Sequence, residues 1–164
     1  MNPGGAVRTT IERDIAVQRL ARTAARHRID DREFERDIFR AAHDGGLTHR
    51  QISDVVGTLS QATVQRTLRK LSEDPSRLRE TPGEMIDRRR AGLIDDETMM
   101  SRLLNWEYRF GYVPSVDGVA MDAYLSGDWD EIELAYYRDL LSDDEFARLV
   151  ERQKENLERA AHTR

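Results

Sequence analysis

The sequence predicts an all-α chain of two small helical domains. Three observations lead there. The length of 164 residues suits one medium domain or two small ones, since domains usually run about 100 to 150 residues. Capping signatures recur ahead of apolar residues at helical spacing. A polar stretch from Ser72 to Gly83, holding Pro75 and Pro82, then separates two such helical regions. With 38% hydrophobic and 35% charged residues, the chain has enough apolar material for packed cores beneath a heavily solvated surface.

The first predicted helix begins at Thr9, where Thr9 and Glu12 stand at capping-box spacing, and runs through Ile15, Val17, Leu20 and Ala24 toward Arg28. A stop is expected at Ile29. Asp30 with Glu33 repeats the signature, and Phe34, Ile38, Phe39 and Ala42 follow until Gly45-Gly46. Thr48 with Gln51 opens a helix of about two turns, with Ile52, Val55 and Val56 apolar, ending at Gly57. Ser60 caps the next, whose Val64, Leu68 and Leu71 at i, i+4 and i+7 form one face.

After the linker, Thr81-Pro82-Gly83-Glu84 combines an N-cap, proline at the first helical position and a carboxylate three residues past the cap. Four or five further helices are expected from there on, near 98–108, 119–125, 129–141 and 143–161 among them. An internal echo accompanies them: Gly92-Leu93-Ile94-Asp95-Asp96-Glu97 matches Asp139-Leu140-Leu141-Ser142-Asp143-Asp144, 47 positions later. Each reads as a helix junction, an apolar pair before a cap and acids in the following first turn. Trp106, Tyr108, Phe110 and Tyr112 alternate as a half-buried extended segment does, with core packing as their role. The resulting domains are 1–29, an N-terminal helix and candidate dimerisation arm; 30–73; a linker at 74–83; and an acidic helical domain at 84–164.

Charge divides along the same line. Residues 1–90 hold 18 Lys plus Arg against 14 Asp plus Glu, and residues 91–164 hold 8 against 17, so the overall −5 is +4 followed by −9. The halves should meet different partners. Over the whole chain Arg outnumbers Lys by 24 to 2, and the bias runs through both halves, so it is better attributed to base composition than to phosphate recognition.

Leu47 to Leu71 resembles the helix-turn-helix of bacterial transcription regulators, on Ile52, the turn glycine Gly57, Val64 and Leu68 as packing positions and Ser60-Gln61-Ala62-Thr63 opening the second helix. With Phe34 to Ala42 as scaffold, the resemblance implies a trihelical DNA-binding domain followed by the second helical one. The residues agree: Ser53 and Gly57 are small where two helices must cross, and the row Val64, Leu68, Leu71 leaves Gln61, Gln65 and Arg69 on another face beside Arg66 and Lys70. Gln matches adenine and Arg guanine in the major groove, while Arg69 and Lys70, further along, reach phosphates. Residues 60–71 contain no acid, whereas Asp31, Glu33, Glu35 and Asp37 crowd the scaffold helix, the segregation that duplex binding requires. Thr48, His49 and Arg50 can hold a phosphate at the preceding helix start. The candidate DNA-binding set is therefore Thr48, His49, Arg50, Ser60, Gln61, Thr63, Gln65, Arg66, Arg69 and Lys70. From Gly57 to Val64 the chain is one residue longer than the commonest form of this turn, so Thr58-Leu59 is expected to make a longer connection with Leu59 in the core, and the recognition register stays open by one position.

The function expected is a sequence-specific transcriptional regulator, binding double-stranded DNA as a homodimer. Its narrower form is an autoregulating antitoxin, because a DNA-binding module joined to an acidic, aromatic-rich domain resembles that organisation, the acidic half covering a basic toxin. The rival is a protein-interaction adaptor without nucleic acid, against which residues 45–71 carry Arg50, Arg66, Arg69 and Lys70 with Asp54 as the one acid. An enzyme is not expected: no nucleophile elbow or phosphate loop occurs. No cofactor is expected either. The chain has no cysteine, its four His lack ligand spacing, and Asp128 with Asp130 and Glu131 reads as a helix cap. Without a long apolar run or a leader-like start at Met1 to Ala6, the expected location is cytoplasmic and away from membranes.

Overall fold

The computed structural model describes residues 3–121 and 123–162. It is mostly helical, with seven α-helices among the described residues and one two-stranded sheet. The chain divides into two compact units, residues 1–80 and 81–164. No helix among the described residues is long and apolar enough to cross a membrane.

In the first unit, α1 (Pro3–His43), α2 (His49–Val56) and α3 (Gln61–Glu73) are followed by a single 3-10 turn at Pro75–Leu78. The expected stop at Ile29 is absent, and the helix is already under way at Thr9, so what reads as two helices is one of 41 residues. No Gly or Pro lies between Ala6 and His43, and Ala25 and Ile29, four residues apart, are both fully buried. Leaving the helix at Asp30 would break that row, so packing overrides the local cap. Arg36, also buried, donates to the Arg79 carbonyl at 2.7 Å and so fastens α1 to the chain beyond the 3-10 turn. Residues 9–20, by contrast, are exposed throughout, Ile11, Ile15, Val17 and Leu20 included. Ile38, Ile52, Val64 and Leu68 form the core between α1, α2 and α3, with Leu47, Val56 and Leu59 packed against it.

The second unit contains α4 (Pro82–Arg90), α5 (Asp96–Leu104), β1 (Ser115–Val116), β2 (Val119–Ala120), α6 (Trp129–Tyr137) and α7 (Asp143–His162). Its helices form a duplicated pair: α4 and α6 each have nine residues and start 47 positions apart, and the starts of α5 and the longer α7 are also 47 positions apart. Both junctions are built alike. Gly92 and Asp139 take the left-handed conformation, at φ 74° and 55°. The amides of Leu93 and Leu140 then reach back to the Arg88 and Ala135 carbonyls, both at 2.9 Å, which closes a Schellman turn. Asp95 and Ser142 cap the following helices by accepting from the Thr98 and Glu145 amides. The Arg89 guanidinium ties the two junctions together, donating to Asp96 at 3.3 Å, to Glu145 and to the Leu140 carbonyl.

Met85 and its counterpart Ile132 are both fully buried in the core of this unit, together with Met99, Leu103, Trp129 and Leu149. Trp129 meets Tyr108 edge-on at 4.9 Å, and Tyr136 stacks on Phe146 at 4.1 Å. Trp106, Tyr108 and Phe110 are half-buried while Glu107 and Arg109 are exposed, the alternation of an extended segment. Burial pushes the Tyr108 phenol well above its ordinary value, reinforced by the Asp128 carboxylate.

Two expectations fail in this unit. Residues 119–125 are not helical: Val119–Ala120 is the second strand of a hairpin, turned at Asp117 (φ 52°) and Gly118 (φ 81°). Nor does the Asp128 side chain cap α6. It accepts from the Arg109 amide and, at 3.4 Å, from the Trp106 indole. Asp130 accepts from the Gly127 amide at 3.1 Å and Glu131 from the Gly83 amide at 2.7 Å, so three neighbouring acids hold three different parts of the unit in place.

Candidate nucleic-acid interface

The surface of interest is formed by α2, the connection 57–60 and α3. Thr48 opens α2 with a reciprocal cap: its hydroxyl accepts from the Gln51 amide at 3.2 Å, and the Gln51 carboxamide accepts from the Thr48 amide at 2.9 Å. The Thr48 hydroxyl also donates to that carboxamide at 3.1 Å, so the side chain is spent on capping. A ligand at this end would meet the amides of His49 and Arg50, which the capping box does not engage, and the exposed side chains of those two residues.

Gly57 ends α2 at φ 73°, where its amide donates to the Ser53 carbonyl. The Ser53 hydroxyl donates to the Leu59 carbonyl at 2.6 Å and fixes the longer connection, whose Leu59 side chain is half-buried against the core. Ser53 therefore does more than stay small; a hydroxyl facing a one-residue-longer turn was the signal for it. Val55, expected on the apolar face of α2, is instead 80% exposed, because the inward arc of this short helix holds only Ile52 and Val56.

Ser60 then caps α3, accepting from the Thr63 amide at 3.2 Å. Val64, Leu68 and Leu71 are buried, and Gln61, Gln65, Arg66, Arg69 and Lys70 are exposed. Thr63 is half-buried, and its hydroxyl bonds to Ser60 at 3.0 Å and accepts from the Arg66 guanidinium at 3.2 Å. Arg66 is thus held toward the N-terminal end of α3 by a neighbour three residues earlier. At the other end the helix runs on to Glu73, whose carboxylate lies 3.9 Å from Arg69, with both side chains 71% exposed. Arg50 pairs in the same loose way with Asp54, also at 3.9 Å. Exposed pairs of this length contribute about 0 to 1 kcal/mol and yield easily to a phosphate.

Of the ten sequence candidates, His49, Arg50, Gln61, Gln65, Arg66, Arg69 and Lys70 have exposed side chains, whereas the Thr48 and Ser60 hydroxyls serve the two caps and Thr63 is half-buried. Two of the four acids of the scaffold, Glu35 and Asp37, are occupied elsewhere, accepting from Arg77 at 3.2 Å and Arg40 at 2.9 Å. Residues 1–80 carry 15 Lys plus Arg against 12 Asp plus Glu, a net of +3.

No protein-family model, curated protein or solved structure matches the chain.

No group of three or more His, Asp or Glu with metal-binding geometry occurs among the described residues. His27 faces Asp31 at 3.6 Å, His43 lies against the Phe39 ring and His162 against the Glu158 carbonyl, three separate places.

Proposed function

We propose that the chain is a sequence-specific DNA-binding transcriptional regulator whose α2–α3 pair works as a helix-turn-helix. The observation that carries this reading is the outward side of α3. Its Gln61, Gln65, Arg66, Arg69 and Lys70 are exposed together, and no carboxylate precedes Glu73 on that helix. Gln65 and Arg66 supply the fork-shaped donors that discriminate base edges, while Arg69, Lys70, Arg50 and the α2 mouth neutralise phosphates. The reciprocal Thr48–Gln51 cap and the Ser53–Leu59 bond keep the two helices in one geometry, which lowers the ordering cost of docking.

One such helix covers one half-site, so the regulator acts as a homodimer reading two half-sites about one helical turn apart. The exposed stretch of α1 that carries Ile11, Ile15, Val17 and Leu20 is the arm assigned to that pairing. The acidic second unit is left for a protein partner, and a basic toxin is the narrower reading.

The test is a titration of the full chain against its own upstream DNA and against scrambled duplex, at several salt concentrations. Tighter binding to the upstream sequence, with log affinity falling linearly in log salt, is expected. Equal, salt-independent binding to both duplexes would favour the adaptor without nucleic acid, which the charge of the second unit otherwise supports.

A further inference from the structure

We propose that the hairpin between α5 and α6 is a docking surface for a separate protein, one whose contact patch is apolar and bordered by lysine or arginine. The proposal rests on the reading of the acidic second unit as the place of a protein partner, which it localises, and it does not depend on the DNA-binding reading of the first unit.

Residues 105–128 connect the two copies of the duplicated helix pair. Within them Val116 pairs with Val119 and Ser115 with Ala120, and the Met121 amide donates to the Pro114 carbonyl at 2.9 Å. Because side chains alternate along a strand, this register gathers Pro114, Val116, Val119 and Met121 on one side and leaves Ser115 and Ala120 on the other. Both sides of the ribbon are exposed to solvent, and one of them is apolar. Val116 is 57% exposed, Val119 69% and Met121 47%, and Tyr112 and Leu125, bridged further down the ribbon, are 48% and 47% exposed.

An isolated two-stranded ribbon is marginal in water, yet this one is fastened at its base. The Arg109 amide donates to Asp128, the Trp129 amide to the Arg109 carbonyl at 3.2 Å, and the Tyr124 hydroxyl to Asp130 at 3.0 Å. A Cβ on Gly127 would stand 2.1 Å from the Arg109 carbonyl oxygen, so chain crosses chain there with no spare room. The unit therefore holds an apolar ribbon out in a fixed stance, the arrangement of a recognition surface with an apolar centre.

Charge selects the occupant. By sequence, residues 105–128 hold four carboxylates and one arginine, with Asp117 at the hairpin tip, and residues 81–164 hold 19 acids against 11 bases, a net of −8. A second copy of this unit would set −8 against −8, and nucleic acid would be repelled outright. A partner with a cationic border gains attraction around the apolar contact.

The test places a benzophenone amino acid at position 119 of the full chain, and at position 115 as the opposite-side control, in cells of the source organism. The expected result is a cross-link from 119 and not from 115 to a different, basic protein. That protein, purified, should bind the chain at least tenfold more weakly when the chain carries Val116→Asp with Val119→Asp, and severalfold more weakly with Asp117→Lys alone. Tryptophan fluorescence and thermal unfolding should be unchanged in these exposed variants, and so should DNA affinity, which separates failure here from failure of the DNA-binding reading. No adduct at 119, an adduct only with another copy of the chain, or a partner indifferent to all three substitutions would overturn the proposal.

Discussion

Arg89→Met should loosen the joint between the two helix pairs of the second unit. Methionine keeps an unbranched stem and removes a guanidinium that is only 20% exposed. Three bonds go with it. Glu145, 16% exposed, loses its cation but keeps the Ser142 amide at 2.9 Å. The Leu140 carbonyl loses its donor just past the left-handed turn residue Asp139. Asp96, 82% exposed, loses almost nothing. Breaking a fully buried pair costs about 3 to 5 kcal/mol, and residual solvent at this site lowers the expectation to about 2 to 3 kcal/mol. For a unit of this size that corresponds to a fall in Tm of roughly 10 to 20 °C. Both tryptophans, Trp106 and Trp129, lie in this unit, so their fluorescence during urea or thermal unfolding reports on it selectively. Glu145→Gln added to the variant should recover part of the loss, because a neutral amide tolerates a missing cation. A loss below about 0.5 kcal/mol in Arg89→Met would refute the idea that this arginine joins the two junctions.

Two further perturbations follow from the same unit. Gly127→Ala drives a Cβ into the Arg109 carbonyl and the Phe110 backbone, where nothing can swing aside, so a loss of about 2 kcal/mol or more is expected in the tryptophan unfolding curve; wild-type stability would mean the hairpin base is not closely packed. The Asp95 carboxyl is held below its ordinary value, first by its bond to the Thr98 hydroxyl and then by the Thr98 amide. Its contribution is thus present above about pH 4 and lost as pH falls through the lowered folded value. Asp95→Asn should still cap α5 but flatten the acid limb of Tm against pH; an unchanged limb would contradict that assignment.

The sequence was most informative where structure depends on neighbours three or four residues apart. The caps at Thr48, Ser60, Thr81 and Asp95 all form with the partners their spacing indicates. The echo at residues 92–97 and 139–144 likewise marks two junctions of the same construction. The same spacing misleads when distant contacts compete. Asp30 with Glu33 looks like a helix start, but the burial of Ala25 and Ile29 keeps α1 unbroken. Asp128 with Glu131 looks like a cap, but the Asp128 carboxylate turns to an amide 19 residues earlier, a pairing invisible to local patterns. The hairpin was legible in principle, since Asp117-Gly118 between valines is a strong two-residue turn signal, but the apolar spacing from Val119 to Leu125 reads as helix when that turn is overlooked. On the candidate interface, the split of α3 into buried Val64, Leu68 and Leu71 and an exposed polar side followed from its period alone. The tie from Arg66 to Thr63 and the pairing of Arg69 with Glu73 required atomic positions.

The most direct test of the central claim, that the outward side of α3 reads duplex DNA, is the affinity of the full chain for its preferred upstream sequence with Gln65→Ala, Arg66→Ala or Lys70→Ala. Losses of about 1 to 3 kcal/mol, roughly 5- to 150-fold, are expected for Gln65→Ala and Arg66→Ala on that sequence, with scrambled duplex scarcely affected. Lys70→Ala should weaken both duplexes alike and lower the salt slope by about one. Wild-type affinity and preference in all three variants would contradict the account.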